Sequence, residues 1–347
     1  MKEMTNIFGN DVMYEEKDLV GKIYMICTAC TSLFSEFLSF ANKYPERITK
    51  NPAEADSIIV ISCQVTDLSV YNDLMTMKSL MQKYPGKNYF IGGCLALRFD
   101  IAMLEGVNRV ENLRVDYQPL DDMTLIDYQA PYWVENFKED MPEHADGQLF
   151  RHSYPLRIGV GCSLNCSYCT IRVTRGKLYT IDPKLAEDEF ENHDNIVLIS
   201  DSPTYAQIND WMQLALAHDK KISIRNIEPH VAMQSFGHLT KLADKGLLKE
   251  LHCPVQHTNI DVLKDMRRNV QATLVYMKEV PRLKESGVFL ATNVITDYKH
   301  FPNPDMKLLN SIFDYVVWNP YWDGKFDMKV AEERFYKYFP WKKGVAA

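Results

Sequence analysis

The chain has 347 residues, of which 46% are hydrophobic and 24% are charged, and its formal net charge is -7. This length and composition suit two folded domains with hydrophobic cores of their own and exclude a disordered chain. The negative charge argues against a protein that neutralises many phosphates, so nucleic acid is a weaker expectation as partner than a peptide or a small molecule.

The first residues carry no export or membrane signal. Residues 1–10 lack the apolar segment of a signal peptide, and no apolar run in the chain approaches the length of a membrane span. We therefore expect a cytoplasmic protein without a membrane partner, whose cysteines stay reduced and available to metal.

The amino-terminal third alternates short apolar strands with helical segments. Strands are predicted over Gly21–Ile26, Ser57–Ser62 and Asn88–Ile91, and helices over Thr31–Ala41 and Asn72–Lys83. This alternation predicts an α/β domain with a parallel sheet over residues 1–127.

A cysteine follows each of these strands. Cys27 and Cys30 come after the first, Cys63 after the second, and Cys94 after the third, where two glycines precede it. Because the carboxyl ends of parallel strands meet at one edge of the sheet, the cysteines are expected to gather there and bind a metal cluster. The alternative is that they are small buried core residues. The paired glycines favour a cluster, since glycine lets the backbone approach a bulky ligand closely.

The second half of the chain repeats the alternation after an irregular segment. Residues 128–152 contain two prolines and several acidic residues and are predicted to be an interdomain linker. Within residues 153–347 six strands are predicted: Leu156–Val160, Asn195–Ser200, Lys221–Arg225, Glu250–Val255, Val288–Thr292 and Tyr315–Trp318. Six βα units predict a partial (β/α)6 barrel whose active residues lie at the carboxyl ends of the strands.

Three cysteines with Cx3Cx2C spacing follow the first strand of this barrel. Cys162, Cys166 and Cys169 can hold three irons of one iron-sulfur cluster, and no fourth cysteine follows nearby, so one iron is left open. A zinc site would bring a second cysteine pair or closely spaced histidines, and a chain of this length does not need disulfides to build a core. The spacing therefore predicts an iron-sulfur site.

This loop, with Tyr168 just before its third cysteine, resembles the signature of the radical S-adenosylmethionine (radical SAM) superfamily. The resemblance implies that Cys162, Cys166 and Cys169 hold a 4Fe-4S cluster whose open iron binds SAM. Reduction of that cluster, by an electron donor such as flavodoxin or ferredoxin, would release a 5′-deoxyadenosyl radical that takes hydrogen from an unactivated carbon.

A closer resemblance lies in the first domain. The segments Ala55–Cys63 and Ile91–Ala96 are similar to the amino-terminal domain of the radical SAM methylthiotransferase family, which modifies certain tRNA adenosines and a ribosomal-protein aspartate. The resemblance implies a flavodoxin-like domain in which three cysteines hold an auxiliary 4Fe-4S cluster. Cys63 and Cys94 match two of these ligands, and Cys30 matches the first, with Cys27 as the alternative.

The second domain carries further matches to this family. Thr174–Lys177 resembles the Arg-Gly-Lys that follows the cluster loop, and Ile224–Pro229 and His252–Gln256 resemble two later blocks. The likeness implies contacts to SAM or substrate from four side chains: Tyr168, Arg225, Glu228 and Gln256. The chemistry of the side chains also allows a structural ion pair for Arg225 and a hydrogen bond to the backbone for Gln256.

The chain departs from the family at the pocket and at its end. It carries Ser200–Pro203 where relatives have Gly-Gln, and Thr292–Pro302 where they have a Gly-Phe-Pro-Gly-Glu turn. Both places border the expected pocket, which predicts a different substrate. After Trp318 only about thirty residues remain, too few for the carboxyl-terminal TRAM barrel of such enzymes. Their aromatic side chains are expected either to close the open side of the barrel or to form a helix packed on the core.

These observations lead to one hypothesis and three alternatives. The hypothesis is a two-cluster radical SAM methylthiotransferase that replaces an unactivated C–H by C–S–CH3 on a peptide, a protein side chain or a small molecule. The alternatives are sulfur insertion without methylation, methylthiolation of tRNA, and a non-catalytic iron-sulfur redox sensor.

Overall fold

A computed structural model describes residues 2–3, 12–115, 117–129 and 153–343 of the chain. The protein divides into two units, one made of Met1–Asn136 with Trp322–Ala347 and the other of Phe137–Tyr321. Apart from residues 128 and 129, the predicted linker 128–152 lies outside the described residues. Within the described ranges, no helix combines the length and apolar character needed to cross a bilayer.

The first unit is built on a seven-stranded sheet. Its strands are β1 Lys2–Glu3, β2 Val12–Tyr14, β3 Ile23–Cys27, β4 Ser57–Ser62, β5 Asn88–Gly93, β6 Val107–Val110 and β7 Asp127–Tyr128, and its first two α-helices are α1 Thr31–Lys43 and α2 Asp67–Lys83. The strand order is β1-β2-β6-β5-β4-β3-β7, and all neighbours are parallel except β1 and β2. The predicted parallel α/β class is confirmed. The strand order differs from that of flavodoxin at one edge of the sheet. In the flavodoxin order, 2-1-3-4-5, the edge strand beside the first strand is the second strand of the chain. Here the edge strand beside β3 is β7, the last strand of the unit.

Burial on both faces explains why β4 is a continuous apolar run. Ile58 and Val60 pack in one cluster with Leu74 of α2, while Ile59 points to the opposite face, as the two-residue period of a strand requires. Helix α2 begins five residues before the predicted start because the Thr66 side chain accepts the N–H of Ser69 and caps it.

The second unit is built on six parallel strands that follow one another in space as they do in the chain. They are β8 Tyr154–Arg157, β11 Asn195–Ile199, β12 Lys221–Ile224, β13 Leu248–His252, β14 Phe289–Thr296 and β15 Tyr315–Pro320. A short antiparallel pair, β9 Gly159–Val160 and β10 Tyr179–Thr180, flanks the loop between them. The helices are α3 Ile171–Thr174, α4 Glu187–Asn192, α5 Tyr205–Ala217, α6 Pro229–Gln234, α7 Phe236–Asp244, α8 Ile260–Asp265, α9 Val270–Glu279, α10 Pro281–Glu285 and α11 Met306–Ile312. The predicted partial (β/α)6 architecture is confirmed.

The aromatic tail belongs to the first unit, although the sequence placed it in the barrel domain up to residue 347. Its helix α12, Met328–Tyr338, packs on α2. The rings of Phe335 and Tyr71 lie 5.2 Å apart, and Arg334 forms an ion pair of 2.6 Å with the buried Asp67. Apolar side chains and one buried charge on α2 thus determine where the tail helix packs. Of the two roles expected for the tail, the structure shows a helix packed on a core, that of the first unit.

Candidate functional site

The structure brings Cys30, Cys63 and Cys94 together at the carboxyl edge of the first sheet. Cys30 precedes α1, Cys63 follows β4 and Cys94 follows β5. Burial raises the pKa of the Cys63 thiol, and the nearby thiols of Cys30 and Cys94 raise it further. Cys27 is fully buried at the end of β3, beside Cys30. The geometry therefore favours Cys30 over Cys27 as the third member of this group.

The turn at Cys63 is held by a carboxylate that the sequence did not single out. Oδ2 of Asp73 accepts the backbone N–H of Cys63 at 2.7 Å, and burial raises the pKa of Asp73 to about 8. The next residue, Gln64, accepts a hydrogen bond of 2.6 Å from Arg98. The sequence did contain a signal for this role of Asp73. It is an acidic residue on the buried face of α2, and a buried carboxylate needs a hydrogen-bond partner.

From the sequence we expected the two glycines before Cys94 to let the backbone approach a bulky ligand. The structure shows that contacts within the protein already require glycine at both positions. Gly93 has φ +77°, and a Cβ there would lie 2.5 Å from the carbonyl oxygen of Ser62. A Cβ on Gly92 would lie 2.9 Å from the ring of Phe37 in α1. The pair thus permits a left-handed turn and close packing of the helix.

The second cysteine group lies in the loop after β9, as predicted. The backbone N–H of Leu164 donates to Sγ of Cys162 at 3.3 Å, and the N–H of Ile171 donates to Sγ of Cys169 at 3.4 Å. Burial raises the pKa of Cys169 to about 12, and the thiols of Cys166 and Cys162 act on it in the same direction. The three thiols are therefore close neighbours, and two of them, Cys162 and Cys169, also accept a backbone N–H.

Both groups fit an iron-sulfur cluster better than a single metal ion. None of the eight cysteines forms a disulfide, and in the described ranges no three His, Cys, Asp or Glu side chains converge as ligands of one ion. In a cluster each cysteine binds a different iron, so the sulfurs stand further apart than the ligands of one zinc ion. Thiols with a raised pKa bind metal with release of their protons.

Glu228, one of the predicted cofactor contacts, lies at the second cysteine group and is paired with Arg268. Nη1 of Arg268 is 2.5 Å from Oε2 of Glu228 and 3.8 Å from Sγ of Cys166, while Nη2 donates to the carbonyl of Pro254 at 2.6 Å. The charge of Glu228 also raises the pKa of Cys162, after burial as the main cause. Arg268 thus links the cysteine loop to the ends of two barrel strands.

Of the other three predicted contacts, Arg225 and Gln256 lie at or near strand ends, and Tyr168 lies in the cysteine loop. Arg225 follows β12 and forms a buried ion pair of 3.2 Å with Glu250, as in the alternative considered from the sequence. Gln256 has φ +69°, its backbone N–H donates to Asn293, and its side chain is partly exposed. Tyr168 packs against the apolar cluster around Tyr298.

Comparisons with known proteins agree with this arrangement. Residues 156–300 match the family described as the Radical SAM superfamily. The chain is 23% identical over 304 residues to the ribosomal protein uS12 methylthiotransferase RimO of Sulfurovum sp. (strain NBC37-1), covering 80% of this chain and 67% of that protein. It is also 23% identical over 307 residues to RimO of Clostridium acetobutylicum, covering 78% and 65%. The chain thus spans about two thirds of the length of these relatives.

Among solved structures, the radical S-adenosylmethionine methyltransferase TsrM from Kitasatospora setae, with cobalamin and a 4Fe-4S cluster bound, aligns with a TM-score of 0.49 and 9% identity over 87% of this chain and 75% of that one.

The second unit therefore contains a radical SAM domain, and SAM and 4Fe-4S are the cofactors that this superfamily and the relatives imply. The chain is also similar, at 23% identity over about four fifths of its length, to ribosomal protein methylthiotransferases, which confirms the resemblance drawn from its cysteine motifs.

Proposed function

We propose that this protein is a radical SAM methylthiotransferase that uses two 4Fe-4S clusters to replace an unactivated C–H by C–S–CH3 on a protein or peptide side chain. The observation that carries the proposal is the presence of two separate groups of three cysteines, one in each unit, none of which forms a disulfide. A radical SAM enzyme that only cleaves SAM needs one such group.

In this proposal Cys162, Cys166 and Cys169 hold the cluster that binds SAM, and Cys30, Cys63 and Cys94 hold the auxiliary one. When bound, the first cluster would supply one electron that splits SAM into methionine and a 5′-deoxyadenosyl radical, which would take the substrate hydrogen and become 5′-deoxyadenosine. A second SAM would methylate sulfide and leave as S-adenosylhomocysteine, and the auxiliary cluster would accept the electron released when the methylated sulfur joins the substrate carbon.

The protein groups around the second cysteine loop have their own tasks. The N–H groups of Leu164 and Ile171 and the guanidinium of Arg268 stabilise thiolates by hydrogen bonding. In this proposal, Gln256, Glu228 and Arg225 orient SAM or the substrate, and Tyr168 contacts the cofactor. An external donor such as flavodoxin or ferredoxin delivers the electron.

A protein substrate is supported by the names of the relatives, which act on ribosomal protein uS12. The net charge of -7 also favours a protein or peptide over tRNA, because it disfavours a surface that neutralises many phosphates. The altered segments at Ser200–Pro203 and Thr292–Pro302 favour a substrate that differs from that of the relatives.

The test is a product analysis with holoenzyme reconstituted without oxygen. The enzyme is incubated with SAM, reductant and either recombinant ribosomal protein uS12, a peptide digest of host protein, or tRNA, and the products are analysed by mass spectrometry. We expect one sulfur and one methyl group to replace one hydrogen on a peptide, with 5′-deoxyadenosine formed, and neither product with C162A. Sulfur without methyl, modified tRNA, or absence of 5′-deoxyadenosine would each refute the proposal and support one alternative.

A further inference from the structure

Asp201, which lies two residues after the end of β11, contacts the cysteine loop of the radical SAM domain at both of its ends. Oδ2 of Asp201 accepts the backbone N–H of Gly161 at 2.7 Å and lies 3.0 Å from Nε of Arg175. Gly161 directly precedes the first cysteine of the loop, and Arg175 follows the last one by six residues. One carboxylate therefore closes the loop across its base.

Burial makes these contacts stronger than their counterparts on the surface. The side chains of Arg175 and Asp201 are 1% and 6% exposed. Removing one partner of such a pair leaves a buried charge uncompensated, which strongly destabilises the structure around it. The loop has little room to adjust, because a Cβ on Gly161 would lie 2.5 Å from the carbonyl of Lys177.

We propose that Asp201 is a positioning residue of the SAM-binding cluster. Its carboxylate fixes the two ends of the cysteine loop and so holds the three cysteines of the loop in place around the cluster. The inference rests on the proposed ligand role of Cys162, Cys166 and Cys169, and it does not depend on which group is transferred.

The role of Asp201 is tested by the rate at which an added ferrous chelator removes iron, without turnover. D201N keeps the size and can still accept the N–H of Gly161, but it loses the ion pair. We expect several-fold faster iron loss in D201N, and wild-type rates in D194N, whose carboxylate is 92% exposed beside Lys220. R175K is a second variant that keeps the charge but changes the hydrogen-bond geometry, and we expect it to accelerate iron loss less than D201N.

The outcomes separate two kinds of failure. Wild-type protein that binds no SAM-responsive cluster would refute the ligand assignment and this inference together. Wild-type protein with such a cluster, and with D201N as resistant to the chelator as D194N, would refute this inference alone.

Discussion

Arg268 and Glu228 form an ion pair of 2.5 Å beside the thiol of Cys166, and their side chains are 2% and 12% exposed. We expect R268A to lower the free energy of unfolding by about 3–5 kcal/mol, because it leaves the charge of Glu228 without its partner. Urea denaturation of anaerobically reconstituted protein measures the change.

The matched control for this prediction is an exposed pair. Arg282 is 66% exposed and pairs with Glu279 at 3.3 Å, so R282A should cost less than about 1 kcal/mol. The double variant E228Q/R268M removes both charges and should recover part of the loss. A cost for R268A no larger than that for R282A would contradict the prediction.

The first auxiliary ligand is expected to be Cys30. Wild-type holoenzyme should contain about eight irons, four for each cluster. C30A, C63A and C94A should each fall toward about four irons while keeping SAM-dependent formation of 5′-deoxyadenosine. The matched controls are C27A and C253A, which remove fully buried cysteines that are not proposed as ligands. Both variants should keep about eight irons. Loss of iron in C27A together with retention in C30A would reverse the assignment.

The sequence predicted the elements that carry a regular apolar pattern and missed those that depend on distant contacts. All six strands of the second sheet were predicted, because each is a short run buried on both faces. Strand β6 was missed because Arg109 lies within it. Arg109 is 2% exposed, and its guanidinium donates to the carbonyls of Leu95, Ala96 and Ile101, contacts that no local pattern indicates.

The candidate site was predictable to a similar degree. The cysteine positions follow from strand ends and spacing, since the fold brings equivalent ends to one edge. The residues that support them, such as Asp73 and Asp201, come from other elements and act through single hydrogen bonds, so their spacing carries no signal. The ion pair of Arg225 with Glu250 joins two strands, and the sequence could offer it only as an alternative.

Gln256 is expected to show opposite effects on stability and on activity. Its φ of +69° is a conformation that favours glycine. Q256G should therefore stabilise the protein by up to about 1 kcal/mol while reducing the rate of 5′-deoxyadenosine formation, because the proposed contact to SAM or substrate is lost. Thermal unfolding and product formation measure the two effects.

The control for Gln256 is an exposed residue with the same backbone conformation. Asp219 has φ +52° in the turn after α5, so D219G should stabilise the protein without changing the rate. If Q256G forms product as fast as D219G, Gln256 has only a structural role.

His257 is expected to make stability depend on pH in the acidic range. It is fully buried, its Nδ1 accepts the N–H of Asn259 at 2.9 Å, and its Nε2 therefore carries the proton shared with the carbonyl of Pro302. Burial lowers the pKa of His257 below its usual 6.5. The folded state therefore favours the neutral ring, and this stability is complete above pH 6.5 and is lost as the pH falls through the lowered pKa.

The measurement for His257 is the thermal midpoint of wild type, H257Q and H230Q between pH 7.5 and 5.5, a range of about one unit on either side of the usual value. H257Q should lose less stability on acidification than wild type. H230Q, at a partly buried position on α6, should lose as much as wild type. Identical pH profiles for H257Q and wild type would contradict the prediction.

Phe335 is expected to anchor α12 on α2. It is 5% exposed, and its ring contacts the rings of Tyr71 and Phe339 at 5.2 and 5.1 Å. F335A should lower the free energy of unfolding by about 3–5 kcal/mol. Val330, on the same helix, is 52% exposed, so V330A should change it by less than about 0.5 kcal/mol in urea denaturation. Equal effects of the two variants would refute the packing of this helix.

The ion pair between Asp67 and Arg334 joins residues 267 positions apart in the chain. A ribosome adds about 5–20 residues per second, so the nascent α2 waits tens of seconds for the helix that covers it. During that interval the apolar side chains around Tyr71 face the surrounding water or a chaperone. The unit that begins synthesis first is therefore the one that finishes folding last.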